Sequence, residues 1–150
     1  QGSVLGPLLF LLYINDVHSV IRHSKTFHFA DDTNILYCHK SLKMINKHIN
    51  QDLKNLSTWL RANKICLNAS KTEIVLFRSK YKAEIVKHLN FRLDGQKLTL
   101  KNEVKYLGVT IDEHLSWNSQ LSNLMSKLSR ATGILAKLRH YLDYKSLISV

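Results

Sequence analysis

The stretch FHFADDTNILY, residues 27–37, sets two carboxylates side by side between two runs suited to β-strand. Thr, Phe, Ile and Tyr favour strands and Asp-Asp supplies turn chemistry, so residues 26–38 predict two short strands around a tight turn. Neighbouring side chains of a hairpin point to opposite faces, yet a tight turn can bring both carboxylates to its rim. One reading is a solvated turn. Two exposed carboxylates about 6 Å apart repel by less than roughly 1 kcal/mol in water, so folding needs no cation. The other reading is a magnesium site, because Mg²⁺ takes oxygen ligands, keeps waters and often uses one or two carboxylates with substrate phosphates. The dipeptide alone leaves both open.

Outward from this turn, GPLLFLLYINDVHSVI (residues 6–21) reads as a buried helix with Pro7 tolerated in its first turn. On the other side, Leu42, Ile45, Ile49, Leu53, Leu56 and Leu60 step by three and four, the apolar face of an amphipathic helix, with Lys43, Lys47 and Lys54 off that stripe. TEIVLF (72–77) reads as a strand, although SKTE before it mimics a capping box. FRLDGQKLTL (91–100) is a hairpin signal, with Asp94-Gly95 matching a type I′ turn, and VKYLGVTI (104–111) reads as another strand. Leu121, Leu124, Leu128, Leu135, Leu138 and Leu142 keep a near-heptad step on a long helix, a stripe that lies exposed unless a partner covers it.

The 150 residues suffice for one domain with a real core, and 45% hydrophobic content argues against disorder. No linker or repeat marks an internal boundary. Lys and Arg number 22 against 11 Asp and Glu, a formal charge of +11 that attracts polyanions, nucleic acid first and an anionic membrane surface next. The apolar run VLGPLLFLLYI (4–14) is too short for a bilayer core of about 30 Å and contains Pro7, so neither a membrane span nor a signal peptide is expected. Cys38 and Cys66 form no disulfide framework and suit a reducing compartment; His18, His23, His28 and His39 match no zinc spacing. Starting at Gln1, the chain reads as beginning within a longer protein.

FADD, preceded by QGSVLGPLLFLLYINDV and followed by WLRANKICLNASKTEIVLF and YLGVTIDEHLSW, resembles the catalytic palm of a reverse transcriptase of non-LTR (LINE-like, jockey-like) retrotransposons. These are four motifs in order, B, C, D and E, and the downstream helix resembles the start of the thumb. The resemblance implies an α+β fold, a palm-like antiparallel sheet backed by helices over residues 1–115, with truncated thumb helices over 116–150. It implies RNA-directed DNA synthesis from dNTPs on an RNA template and DNA primer, by two Mg²⁺ ions for which Mn²⁺ can substitute. Asp31 would bind both ions and Asp32 would be the secondary carboxylate. Phe29, where related enzymes often hold Tyr, would sit near the primer end.

Gln1 and Gly2 correspond to the pair that contacts the templating base and incoming nucleotide; the competing reading is a helix N-terminus with a permissive glycine. Lys71 corresponds to the motif D lysine, which is thought to help protonate departing pyrophosphate, against the reading of a solvated lysine. Tyr106, Leu107, Gly108 and Val109 correspond to the primer grip, against the reading of a plain core strand ending in glycine. By the same resemblance a nuclear location is expected, while fingers, most of the thumb and the metal-binding Asp of motif A are missing. Asp16 belongs to motif B and cannot replace that Asp. Residues 1–150 alone are therefore expected not to extend a primer, and the alternative function is a non-catalytic, basic, nucleic-acid-binding remnant.

Overall fold

A computed structural model describes residues 4–66, 68–81, 89–139 and 141. The chain divides into two compact units, the first holding the elements up to Ile74 and returning over Tyr81–Thr99, the second holding Val75–Lys80 and the chain from Leu100 onward.

The first unit begins with helix α1 (Leu5–Ile14), in which Pro7 falls in the first turn, where its missing N–H leaves no bond unmade. The helix runs on into a 3₁₀ turn, Asn15–Val20. The expectation that this helix is buried is corrected. Leu5, Leu8, Leu9, Leu11 and Leu12 are all exposed, and α1 buries none of its residues. Its apolar residues surround the axis instead of lining one stripe, so a single neighbour could cover only part of it. Burial starts at Val17, which is 1% exposed and sits in a core with Leu56, Trp59 and Leu60, flanked by Ile14, Val20, Ile21, Ile35 and Ile65.

Strands β1 (Lys25–Phe29) and β2 (Asp32–Leu36) form the expected hairpin. Helix α2 (Leu42–Ala62) follows and turns the predicted stripe inward, burying Leu53, Leu56, Trp59 and Leu60. Its two faces then fix what flanks it. Asp52, fully buried, accepts the backbone N–H groups of Arg22 (3.0 Å), His23 (3.2 Å) and Ser24 (2.9 Å) and the hydroxyl of Ser24 (2.7 Å). A buried carboxylate is tolerable when its lone pairs are filled in this way. Asn46 Oδ1 accepts the N–H of Asn90 at 3.0 Å, and Asn50 both accepts the N–H of Arg92 at 2.9 Å and donates to the Asn90 carbonyl at 2.8 Å. These bonds hold β4 (Phe91–Leu93), which pairs with β5 (Gln96–Leu98) through Asp94 (φ 51) and Gly95 (φ 81). Positive φ at both central residues is the predicted type I′ turn. Phe91, Leu93 and Leu98 are buried.

Of TEIVLF, only β3 (Ile74–Val75) is strand, preceded by a 3₁₀ turn at Ala69–Lys71. After β6 (Leu100–Lys101), the second unit holds β7 (Glu103–Tyr106) and β8 (Val109–Asp112). VKYLGVTI is thus a third hairpin, not one strand, because Leu107 (φ 46) and Gly108 (φ 85) reverse the chain. An ion pair between Arg78 and Glu113 (2.9 Å), both largely buried, braces this unit. Helix α3 (Asn118–Leu138) buries none of its residues, and Leu121, Leu124, Leu128 and Leu135 form the exposed stripe expected from the heptad step; Leu142 lies outside the described residues. The three hairpins are separate two-stranded antiparallel ladders in a mixed α and β chain. No described helix is long and apolar enough to cross a membrane.

Candidate active site

The hairpin register pairs Phe29 with Asp32, His28 with Thr33, Phe27 with Asn34, Thr26 with Ile35 and Lys25 with Leu36. Ala30 and Asp31 are therefore the two-residue turn, and Asp32 is the first residue of β2. Ala30 takes φ 52 while Asp31 stays in the ordinary range, the φ pattern of a type II′ turn, whose first central position favours glycine. A side chain there costs about 1–2 kcal/mol. The alternation of the strands gives the hairpin two faces. Thr26 and Ile35 point to the core, where Ile35 packs against the cluster around Leu56 and Trp59. The opposite face carries Phe27, Phe29, Asp32, Asn34 and Leu36, with Phe27, Phe29 and Leu36 exposed. The amide nitrogen of Asn34 on this face is buried and has no hydrogen-bond partner among the described residues.

Asp31 and Asp32 are both exposed at the tip, with the Phe29 ring directly across from Asp32. Among the described residues no group of three or more His, Cys, Asp or Glu side chains converges to hold a metal ion. Two neighbouring carboxylates do not make an all-protein cage. They do fit a hard cation that keeps waters and takes phosphate oxygens for its remaining positions.

The other predicted residues stand elsewhere. Lys71 is exposed on the 3₁₀ turn that Asn68 organises, with the Asn68 side-chain oxygen accepting both the N–H (3.1 Å) and the hydroxyl (2.6 Å) of Ser70. In the second unit Tyr106 and Val109 pair across the type I′ turn Leu107-Gly108, leaving Leu107 and Val109 exposed and Tyr106 half-buried. Gln1 and Gly2 lie outside the described residues.

Two organising carboxylates escaped the sequence reading. Asp52 ties down the loop that feeds β1, as described above. Asp112 accepts the N–H groups of Ser116 (2.9 Å), Trp117 (2.9 Å) and His114 (3.0 Å) and the Ser116 hydroxyl (3.1 Å). The Ser116 backbone bond above all, with those of Trp117 and His114, holds its pKa down at about 2 against a smaller opposing effect of partial burial. The only local signal was a serine four residues after an aspartate. A third grouping is the stack of His23 on His48, 3.9 Å apart and parallel within 6°, with the Tyr37 hydroxyl 2.6 Å from His48 Nδ1. Partial desolvation, then His23, Lys47 and His39, hold the His48 pKa below its ordinary value, with Asp52 opposing.

Residues 1–111 match the family described as reverse transcriptase (RNA-dependent DNA polymerase). The chain is 30% identical over 132 residues to the "Probable RNA-directed DNA polymerase from transposon X-element" of Drosophila melanogaster, covering 85% of this chain and 14% of that protein. It is 26% identical over 147 residues to the "RNA-directed DNA polymerase from mobile element jockey" of the same fly, covering 91% and 16%. A third relative, "Putative 115 kDa protein in type-1 retrotransposable element R1DM", is 24% identical over 139 residues, covering 92% and 13%. The chain thus spans about a seventh of the length of these relatives. No solved structure matches it significantly. With its two-carboxylate hairpin inside the matched segment, the chain belongs to the reverse transcriptase family.

Proposed function

We propose that this chain supplies the catalytic hairpin of an RNA-directed DNA polymerase of a non-LTR retrotransposon, with Asp31 and Asp32 as its metal-binding carboxylates. The observation that carries this reading is the register of β1 and β2, in which both carboxylates fall at the exposed tip of a hairpin whose inner face is anchored to the core. A rigid mount suits the task, since metal ligands must be held closely. Magnesium bound there, with manganese as a substitute, would activate the primer 3′-hydroxyl and offset charge on the departing pyrophosphate. Asp31 is the principal ligand and Asp32 the secondary one. Phe29, opposite Asp32, borders the primer end, and Gln1 and Gly2 read the templating base and nucleotide.

Lys71 holds a proton for the departing pyrophosphate, and the turn Tyr106–Val109 grips the primer backbone. Residues 1–115 act as palm, and α3 opens the thumb. The partners are an RNA template, a DNA primer and dNTPs, in the nucleus.

The test is primer extension on an RNA template by the full open reading frame that encodes the chain, with Asp31→Asn beside it. Loss of a metal ligand worth several kcal/mol is expected to lower extension by about a hundredfold or more. Binding to an RNA–DNA hybrid is expected to change less than about twofold. Extension that survives Asp31→Asn would remove the metal assignment. Binding without extension in either form would favour the basic, non-catalytic reading that the net charge of +11 supports.

A further inference from the structure

Helix α2 turns its apolar stripe to the core, and its opposite side carries an ordered row of cations. At 100° per residue, Lys43, Lys47, Lys54 and Arg61 fall within about 40° of one another around the helix axis. From Lys43 to Arg61 is eighteen residue steps, about 27 Å along the helix. All four are exposed. The helix has one acidic residue, Asp52, which is fully buried on the other side with its oxygens taken by the Arg22–Ser24 loop. The row thus has no counter-charge from its own helix. Arg61 pairs with Asp94 at a site where both side chains are well exposed, a kind of pair that contributes little and exchanges easily for another anion. The three lysines make no ion pair among the described residues.

Beside the cations lie the polar Gln51, Ser57 and Thr58, while Asn50, also on this arc, is engaged with Asn90 and Arg92 and so marks where β4 borders the row. A helix that lies on a bilayer needs apolar side chains next to its basic ones, and this arc has none. A row of cations among hydrogen-bonding side chains suits a phosphodiester backbone, where contacts go to phosphate and sugar without reading bases. The β1–β2 hairpin packs through Ile35 onto the core that α2 covers with its other side. A strand lying on the cationic arc is therefore separate from one engaged at Asp31 and Asp32.

We propose that the outer face of α2, through Lys43, Lys47, Lys54 and Arg61, is a sequence-independent nucleic-acid contact distinct from the catalytic turn. It does not depend on Asp31 being catalytic. The test measures binding of the 150-residue chain to a duplex of arbitrary sequence across a salt series, comparing two triple variants of equal net charge. One is Lys43→Gln, Lys47→Gln, Lys54→Gln; the other is Lys97→Gln, Lys127→Gln, Lys137→Gln. Each neutralised phosphate contributes about 0.9 to the log–log salt slope, so the first triple is expected to flatten the slope by about 2–3 and the second by less than about 1.

Equal flattening by both triples would reduce the effect to net charge and overturn the proposal, as would no flattening by the first. Loss of binding to phosphatidylserine vesicles with unchanged duplex binding would replace it with a membrane contact. Photo-crosslinking of the unsubstituted chain to the duplex gives a second readout that no folding defect can mimic. Crosslinks along residues 43–61 support the row, and crosslinks confined to residues 25–36 overturn it. The salt slope is read without any primer extension, so a failure here stays distinct from a failure of the polymerase reading, which the extension assay alone decides.

Discussion

Ser24 and Asp52 are joined twice: the Ser24 N–H and hydroxyl both donate to Asp52 Oδ2, at 2.9 and 2.7 Å, one residue before β1 begins. With Arg22 and His23 adding their N–H groups, a single buried carboxylate sets where the β1–β2 hairpin starts. Asp52→Ala leaves the donors of a part-buried loop without this partner, where a fully buried unpaired donor would cost about 1–3 kcal/mol. Stability is expected to fall by about 2–5 kcal/mol, read from the urea midpoint. Asp52→Asn keeps one acceptor oxygen and is expected to fall between. Faster amide exchange at residues 22–24 should accompany both. An unchanged midpoint in Asp52→Ala would show that this loop is held by something else.

Asp112 makes a pH-dependent contribution whose sign is fixed by its lowered pKa. Folded, it ionises near 2; unfolded, an aspartate ionises near 3.9. Its stabilising contribution is therefore complete above about pH 4 and is lost as the pH falls toward about 2, when the folded chain takes up the proton. The melting temperature of the chain is expected to drop across that interval. Asp112→Asn should start lower at neutral pH and drop less steeply. Parallel curves for the two proteins would remove Asp112 as a source of acid sensitivity.

The turn Leu107-Gly108 separates a backbone cost from a packing cost. A Cβ added at Gly108 meets nothing within 4 Å, yet the residue holds φ +85. Gly108→Ala is thus expected to cost only left-handed strain, about 1–2 kcal/mol. Leu107, at φ 46 and half-exposed, already bears that cost, so Leu107→Asn is expected to stabilise the hairpin by a few tenths of a kcal/mol up to about 1. Chemical denaturation of the two variants should move the midpoint in opposite directions.

The parts of the fold legible in the sequence are those whose cause is local. The α2 stripe from Leu42 to Leu60 fixes a face, Asp94-Gly95 fixes a turn because both residues accept positive φ, and the residue types around Asp31-Asp32 fix a hairpin. The β7–β8 hairpin looks like one strand in the sequence because Leu107 is a poor turn residue and disguises the reversal that Gly108 permits. Burial of α1 was inferred from hydrophobicity, but burial also requires a neighbour, and none of the helix's apolar residues is buried. Asp52 gave no signal at all, since its partners lie 28–30 residues away. The candidate carboxylates were found by motif; the bonds that position them were visible only once the chain was folded. The lysines of α2 registered as residues off the apolar stripe, and their alignment mattered only once the helix bounds were known.

Helix α2 is bonded to chain 28–30 residues before it through Asp52 and to chain 40–44 residues after it through Asn46 and Asn50. The entropy of closing such loops grows only logarithmically, about 0.6 kcal/mol for each doubling of length. Inserting residues in these connections is therefore cheap. Inserting a single residue within α2 rotates everything beyond it by about 100° and parts the asparagines from the carboxylate they work with. Length variation among relatives should accordingly collect in the connecting loops and stop at the boundaries of this helix, which serves as the ruler from which the rest of the first unit is spaced.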